Sequence, residues 1–309
     1  MAQNAESDSS PAGGGDIRWS DFGALDARGW VTPPAPGDDK YSRGVLGVMT
    51  GSPSFPGAAV LGVEGASRTG VGMVRYLGPG RATRLVMQRR PEIVTAEGRV
   101  QAWLVGSGMD AASRDDTVTA AIGEALEQGD PAVIDAGALD LVGRASGAVV
   151  ITPHAGELVT LLAAHGVEVS RGEVTADPAT WAVRAARLLG VTVLLKGNVT
   201  HVVSAVRGGD AGAGDVGGGV VVGECFRVTA PTTELATAGS GDVLAGILGA
   251  LVATHRAQVD DDPAVLARLA ATAAVLHGLA GERASGGGPL VALDIAEALP
   301  ATIAELRRL

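Results

Sequence analysis

Ala236-Thr237-Ala238-Gly239-Ser240-Gly241-Asp242-Val243-Leu244-Ala245-Gly246-Ile247-Leu248-Gly249-Ala250-Leu251 runs from a loop of small residues into an apolar block that reads as a buried helix. The free N–H groups of Gly239, Ser240, Gly241 and Asp242 then point outward at the helix N-terminus, where anions such as phosphate are favoured. Asp242 falls in the first turn, electrostatically welcome there and able to reach the hydroxyl of a substrate lying over the loop. This is what a phosphoryl-transfer site needs, although an ordinary N-cap with a first-turn acid has the same spelling. Gly212-Ala213-Gly214-Asp215 looks similar, but Val216-Gly217-Gly218-Gly219 follows it. Glycine weakens a helix by about 1 kcal/mol per position relative to alanine. Residues 207–219 therefore read as a flexible hairpin tip between two strands.

Outward from the quoted stretch, strand-like runs alternate with alanine-rich helical runs. The strands fall at residues 44–50, 72–76, 92–94, 102–105, 132–135, 148–152, 192–196, 201–205 and 220–228. The helical runs include residues 56–69, 114–128, 156–164, 178–189, 242–255 and 264–284. That order predicts a mostly parallel sheet with helices on both faces, and in such sheets ligands collect at the carboxyl ends of the strands.

Four strand-end loops carry chemistry. Gly51-Ser52-Pro53-Ser54-Phe55-Pro56-Gly57-Ala58-Ala59 is small enough for a ligand to approach the backbone, or is simply a tight turn. Gly106-Ser107-Gly108-Met109-Asp110 allows close backbone approach but lacks the further spacing of a dinucleotide fingerprint. Thr152-Pro153-His154-Ala155-Gly156-Glu157 sets an imidazole and a carboxylate three residues apart at a helix start. They could contact a polar ring or order phosphate and Mg²⁺ through water, or Glu157 could be only a helix cap. Leu195-Lys196-Gly197-Asn198-Val199-Thr200 ends an apolar strand in a cation and small polar groups, which suits nucleotide phosphate but also a solvated hairpin. His165, His201, His255 and His277 lie in helices or strands without partners at ligand spacing and read as structural.

The composition, 309 residues with 46% hydrophobic and 19% charged, is that of a globular chain. A formal charge of −10 disfavours nucleic acid as a partner, so an anionic ligand needs local N–H groups and cations such as Lys196. The single cysteine, Cys225, suits a reducing compartment, and the expectation is a cytoplasmic protein. Residues 1–16 lack the pattern of a signal peptide and read as a disordered tail. Residues 17–39 form a lead-in to a single domain over 40–309. The apolar helices near 243–254 and 268–280 look too short or too interrupted to cross a bilayer, so no membrane partner is expected.

Lys40-Tyr-Ser-Arg-Gly44, the Gly51-Ser and Phe55-Pro-Gly-Ala-Ala59 pieces, Gly70-Val-Gly72-Met-Val, Thr152-Pro-His-x-Gly-Glu157, Leu195-Lys-Gly-x-x-Thr200 and Ala236-Thr-x-Gly-Ser-Gly-Asp-Val-Leu-Ala-Gly246 occur in that order. Together they resemble the ADP-dependent (S)-NAD(P)H-hydrate dehydratase family over about residues 40–300. The resemblance implies a ribokinase-like three-layer α/β/α sandwich. It also implies repair of hydrated NADH or NADPH, with ADP giving up its terminal phosphate and leaving as AMP, Mg²⁺ assisting and Asp242 as base. By the same resemblance Ala58 or Ala59, Gly108, His154 and Asp242 meet the hydrate. Lys196, Gly197, Asn198, Val199 and Thr200, with Gly239, Ser240 and Gly241, meet the nucleotide. Glu157 corresponds to an acidic position that helps order metal, though His154 stands where sugar kinases commonly have asparagine.

Some bacterial relatives carry an epimerase domain ahead of the dehydratase; about 40 residues precede the first motif here, so a separate NAD(P)H-hydrate epimerase is the expected functional partner. A homo-oligomer, a tetramer, is the expected assembly. The competing readings are a small-molecule kinase of the same fold, of hydroxyethylthiazole or sugar type, and a nucleotide-binding protein without turnover. The Pro-His-Ala-Gly-Glu loop weighs against the first, and an intact Asp242 against the second.

Overall fold

The computed structural model describes residues 17–31, 33–207 and 219–309. The expected tail at 1–16 and all but the end residues of the expected hairpin tip at 207–219 lie outside the described residues. Nine strands among the described residues form one sheet: β1 (Trp19–Asp21), β2 (Val45–Met49), β3 (Met73–Tyr76), β4 (Ala102–Val105), β5 (Ala132–Ile134), β6 (Val149–Ile151), β7 (Thr192–Leu195), β8 (Val199–Arg207) and β9 (Val220–Thr229). Their order is β1-β9-β8-β7-β6-β5-β4-β2-β3, and among these strands only β8 runs against the rest. The central strands are apolar but for Thr192 at the start of β7 and are buried on both faces, as parallel strands covered by helices must be. Gly47 in β2 has no side chain because the Trp103 ring of β4 occupies the space.

The helices are α1 (Ala24–Arg28), α2 (Gly57–Thr69), α3 (Gly80–Arg89), α4 (Asp116–Glu127), α5 (Ala155–Ala164), α6 (Arg171–Ala176), α7 (Pro178–Leu189), α8 (Ser240–Thr254), α9 (Arg256–Asp261), α10 (Val265–Ser285) and α11 (Ala292–Leu306). A 3₁₀ segment, Ala136–Arg144, follows β5. Two apolar cores result, one on each side of the sheet. α2, α8, α10 and α11 pack into the first; α4, α5, α7 and the 3₁₀ segment pack into the second. The expected three-layer α/β/α sandwich with a mostly parallel central sheet is what the chain adopts.

Two packing features place the site. α8 is apolar on every side and buried from Val243 to Ala253, and it crosses α2 so closely that a Cβ on Gly246 would overlap the Gly62 carbonyl. A Cβ on Gly65 would lie 2.6 Å from the Val243 carbonyl oxygen. The N-termini of α2 and α8 are thereby held at the same end of the sheet. α2 is tied outward by Glu64, fully buried, whose carboxylate accepts from Arg68 at 2.7 Å and Arg89 at 2.6 Å and is paired with Arg90 at 2.5 Å.

Some expectations change. Residues 92–94 form no strand; Val94 makes only an isolated bridge to Arg75. The lead-in segment supplies β1, which pairs with β9 in register Trp19↔Cys225, and Phe22 packs edge-on against Phe226 at 5.0 Å. α10 matches the expected run at 264–284 within one residue, yet at 21 residues it could, by length and composition alone, cross a membrane, against the expectation that the apolar stretch at 268–280 is too short to do so. In the fold 78% of that apolar window is buried inside the domain, as befits a core helix.

Candidate active site

The carboxyl ends of β4, β5, β6 and β7 meet the mouth of α8, and four charged groups gather there. Asp135, 2% exposed at the end of β5, accepts from Ser107 Oγ at 2.8 Å, Thr152 Oγ1 at 2.8 Å and Lys196 Nζ at 3.0 Å. The next residue, Ala136, has φ of 44°, an unusual turn for a side-chain-bearing residue. Lys196 Nζ also lies 3.5 Å from Glu157 Oε2, and a Cβ on Gly241 would sit 3.6 Å from the same nitrogen. Burial works against the Lys196 charge, yet the Asp135 and Glu157 carboxylates hold its pKa above the ordinary lysine value.

His154 is the N-cap of α5. Its Nδ1 accepts from the Gly156 and Glu157 amides at 3.0 and 3.1 Å, while Glu157 Oε2 accepts from the His154 amide at 2.7 Å. This is a capping box built on histidine, so Nε2 carries the ring proton in the neutral form. The side chain is 59% exposed, and Nε2 is 3.6 Å from Glu157 Oε1. The Lys196 amide donates to the Pro153 carbonyl at 2.8 Å and so joins this loop to the end of β7.

The α8 mouth turns through Gly239, whose φ of 86° is left-handed. Asp242, half-buried in the first turn, has its carboxyl pushed up to about 7, first by burial and then by the Asp135 charge, against the pull of Lys196. Ser240 Oγ lies 2.9 Å from His277 Nε2, which also lies 3.0 Å from the Ser240 carbonyl. Burial pushes His277 down to about 4, so the ring is neutral.

A cleft of about 790 Å³ opens in front of this turn, bounded by His154, Lys196, Gly197, Asn198, Thr200, Ser240 and Gly241, with apolar walls from Val228, Leu235 and Leu244. It can take a ligand with a flat apolar part and an anionic end at the α8 mouth. Val199 enters β8 and pairs with Thr229. Ala58, Ala59 and Gly108 form a separate cluster: a Cβ on Gly108 would overlap that of Ala58, and a Cβ on Gly51 would lie 3.0 Å from that of Ala59. Ala59 is fully buried and Ala58 nearly so. This cluster reaches Asp242 along α2, since a Cβ on Gly62 would lie 3.5 Å from the Asp242 carbonyl.

Sequence reasoning missed Asp135, Ser107, Thr152 and His277. A carboxylate closing the apolar run Ala132-Val133-Ile134 at the end of a parallel strand was the available signal for Asp135. His277 does have a partner, Ser240, brought to it by the packing of α10 on α8; nothing in the local sequence marks it.

The family described as NAD(P)H-hydrate dehydratase matches residues 46–300. The "bifunctional NAD(P)H-hydrate repair enzyme Nnr" of Mycobacterium tuberculosis is 39% identical over 246 residues, covering 75% of this chain and 46% of that protein. The chain thus spans about half the length of the bifunctional relatives it matches. The "ADP-dependent (S)-NAD(P)H-hydrate dehydratase" of Xanthomonas campestris pv. campestris is 30% identical over 243 residues, covering 71% of this chain and 76% of that one. A crystal structure of the ADP/ATP-dependent NAD(P)H-hydrate dehydratase of Bacillus subtilis, co-crystallised with ATP and Mg²⁺, shares the fold at a TM-score of 0.75 and 23% identity, covering 94% of this chain and 99% of that one.

Proposed function

Because the chain belongs to the NAD(P)H-hydrate dehydratase family, we propose that it repairs hydrated NADH or NADPH by ADP-dependent dehydration of the S epimer, giving NAD(P)H, AMP and phosphate. The observation that carries this reading is Asp242, a carboxyl with proton affinity near neutrality at an anion-attracting helix mouth beside a half-buried lysine. Asp242 takes the proton of the ring hydroxyl as that oxygen attacks the terminal phosphorus of ADP, and AMP leaves. The C–O bond then breaks, the ring nitrogen lone pair moving in as phosphate departs with the bonding pair. Loss of a proton from the neighbouring carbon restores the dihydropyridine.

The α8 amides and Lys196 meet the charge on the transferring phosphoryl group, where fixed donors contribute most. Lys196 to Thr200 and Gly239 to Gly241 take the nucleotide; Ala58 or Ala59, Gly108 and His154 take the hydrate. Mg²⁺ fits the donor set. Asp135, Glu157 and Asp242 outnumber Lys196 and the Arg171 that also lines the cleft, so a polyanion gains from a further cation there, and one Glu157 oxygen remains for a water-bridged contact. Mg²⁺ would supply charge neutralisation on the phosphates, to which it binds more than to protein. We assign the work to the cytoplasm, with an NAD(P)H-hydrate epimerase as functional partner, and to a homotetramer; a monomeric mass by light scattering would reject the tetramer.

The test is absorbance at the dihydronicotinamide band after mixing the protein with NADH hydrate, Mg²⁺ and ADP, with nucleotides followed in parallel. Recovery of the band coupled to AMP formation supports the reading. Failure to recover it, with phosphate instead appearing on a thiazole alcohol or sugar, moves the chain to the kinases of this fold.

A further inference from the structure

We propose that Asp135 is a positioning residue that holds the Lys196 ammonium against the phosphates of ADP, an inference that rests on the ADP-dependent reading above. An ammonium has three N–H donors. Asp135 Oδ1 engages one at 3.0 Å and Glu157 Oε2 faces another at 3.5 Å. The remaining donor side of Nζ meets the α8 mouth, where the Gly241 Cα presents hydrogen alone and a Cβ would come within 3.6 Å. The ammonium is thus aimed by two carboxylates from different elements toward the turn whose amides favour an anion.

Asp135 is the stronger anchor because it is itself held rigidly. Ser107 after β4 donates to Oδ2 and Thr152 after β6 donates to Oδ1, so the carboxylate spans the ends of neighbouring strands on both sides. Glu157 is the weaker partner: its Oε2 lies 3.5 Å from Nζ against 3.0 Å for Asp135, and it is already drawn to the His154 amide at 2.7 Å. A buried carboxylate with these donors could also serve only to tie strand ends together. The two roles differ in one respect: a tie acts whether or not Lys196 is present, and a positioning residue acts only through it.

The experiment is a double-mutant cycle on ADP affinity, measured by titration calorimetry with Mg²⁺ and without any hydrate. Asp135→Asn keeps size and the strand-end hydroxyl contacts but removes the charge that holds Lys196. It is expected to weaken ADP binding about tenfold, a coupling typical of contacting partners, and to leave Asp135→Asn/Lys196→Met no weaker than Lys196→Met alone. Wild-type affinity in Asp135→Asn, or the same tenfold loss on top of Lys196→Met, overturns the proposal. Should Asp135→Asn not fold, Ser107→Ala loosens the same carboxylate while leaving its charge. Its expected loss is about threefold with Lys196 present and none with Met there; equal loss in both backgrounds overturns it. The cycle needs no turnover. A failed dehydration assay with a coupled cycle removes the reaction and keeps the lysine anchor, and the converse pattern does the reverse.

Discussion

Under the proposed function Asp242 governs the pH dependence of activity, and its burial contributes to that of stability. As the base it must be ionised, so turnover is expected to rise as pH increases through about 7, the value to which burial and Asp135 push it. Asp242→Asn should lower kcat about 10²–10⁴-fold while ADP still binds, read by parallel turnover and calorimetry; near-normal repair by that variant would remove Asp242 from the chemistry. The same raised pKa means that the folded state binds the proton more tightly than the unfolded chain. Ionising Asp242 therefore costs stability, a cost absent below the ordinary value of 3.8, growing as pH rises and complete above about 7. Asp242→Asn should accordingly melt a few degrees higher than wild type at pH 8 and at the same temperature at pH 3.5, about 2 °C accompanying each kcal/mol in a chain of this size. Equal melting temperatures at pH 8 would contradict the burial argument.

The glycine seam between α2 and α8 is where packing controls the site. A methyl group at Gly246 meets the Gly62 carbonyl, so Gly246→Ala must force the helices apart, at about 1–3 kcal/mol by the usual cost of overpacking. Chemical denaturation should show that loss. Repair should fall further than folding does, since the crossing fixes the distance from Ala58 to Asp242; an unchanged midpoint would show that the seam yields freely. Much at this scale could be read in the chain. The strands at 102–105 and the helix at 178–189 fall at the residues expected, since apolar runs bounded by glycine, proline or aspartate leave little choice. β1 could not be read, because Trp19-Ser20-Asp21 has no periodicity and is a strand only through its pairing with β9. α3 and α11 also went unread, the latter carrying Pro300 within the helix. In the site, loops with glycine or charge announced themselves, whereas Asp135 and His277 acquire their partners through tertiary packing.

At the level of the whole molecule, a chain of net charge −10 whose Lys196 is already engaged by Asp135 and Glu157 should hold ADP, under the proposed function, more tightly with an imported cation. ADP should therefore raise the melting temperature in the presence of Mg²⁺ and do so far less with EDTA, a difference read by thermal denaturation at fixed ADP. An equal shift in both would leave the helix amides and Lys196 sufficient. The sheet order has a further effect, on the course of synthesis. β1 precedes β9 by some two hundred residues and yet lies beside it at the sheet edge. On the ribosome β1 emerges well before its partner, and until the two pair β9 offers an unpaired edge to any neighbouring nascent chain. Three residues, Trp19 to Asp21, thus serve as a closing seam whose absence would be felt as aggregation during expression before it was felt in the cleft.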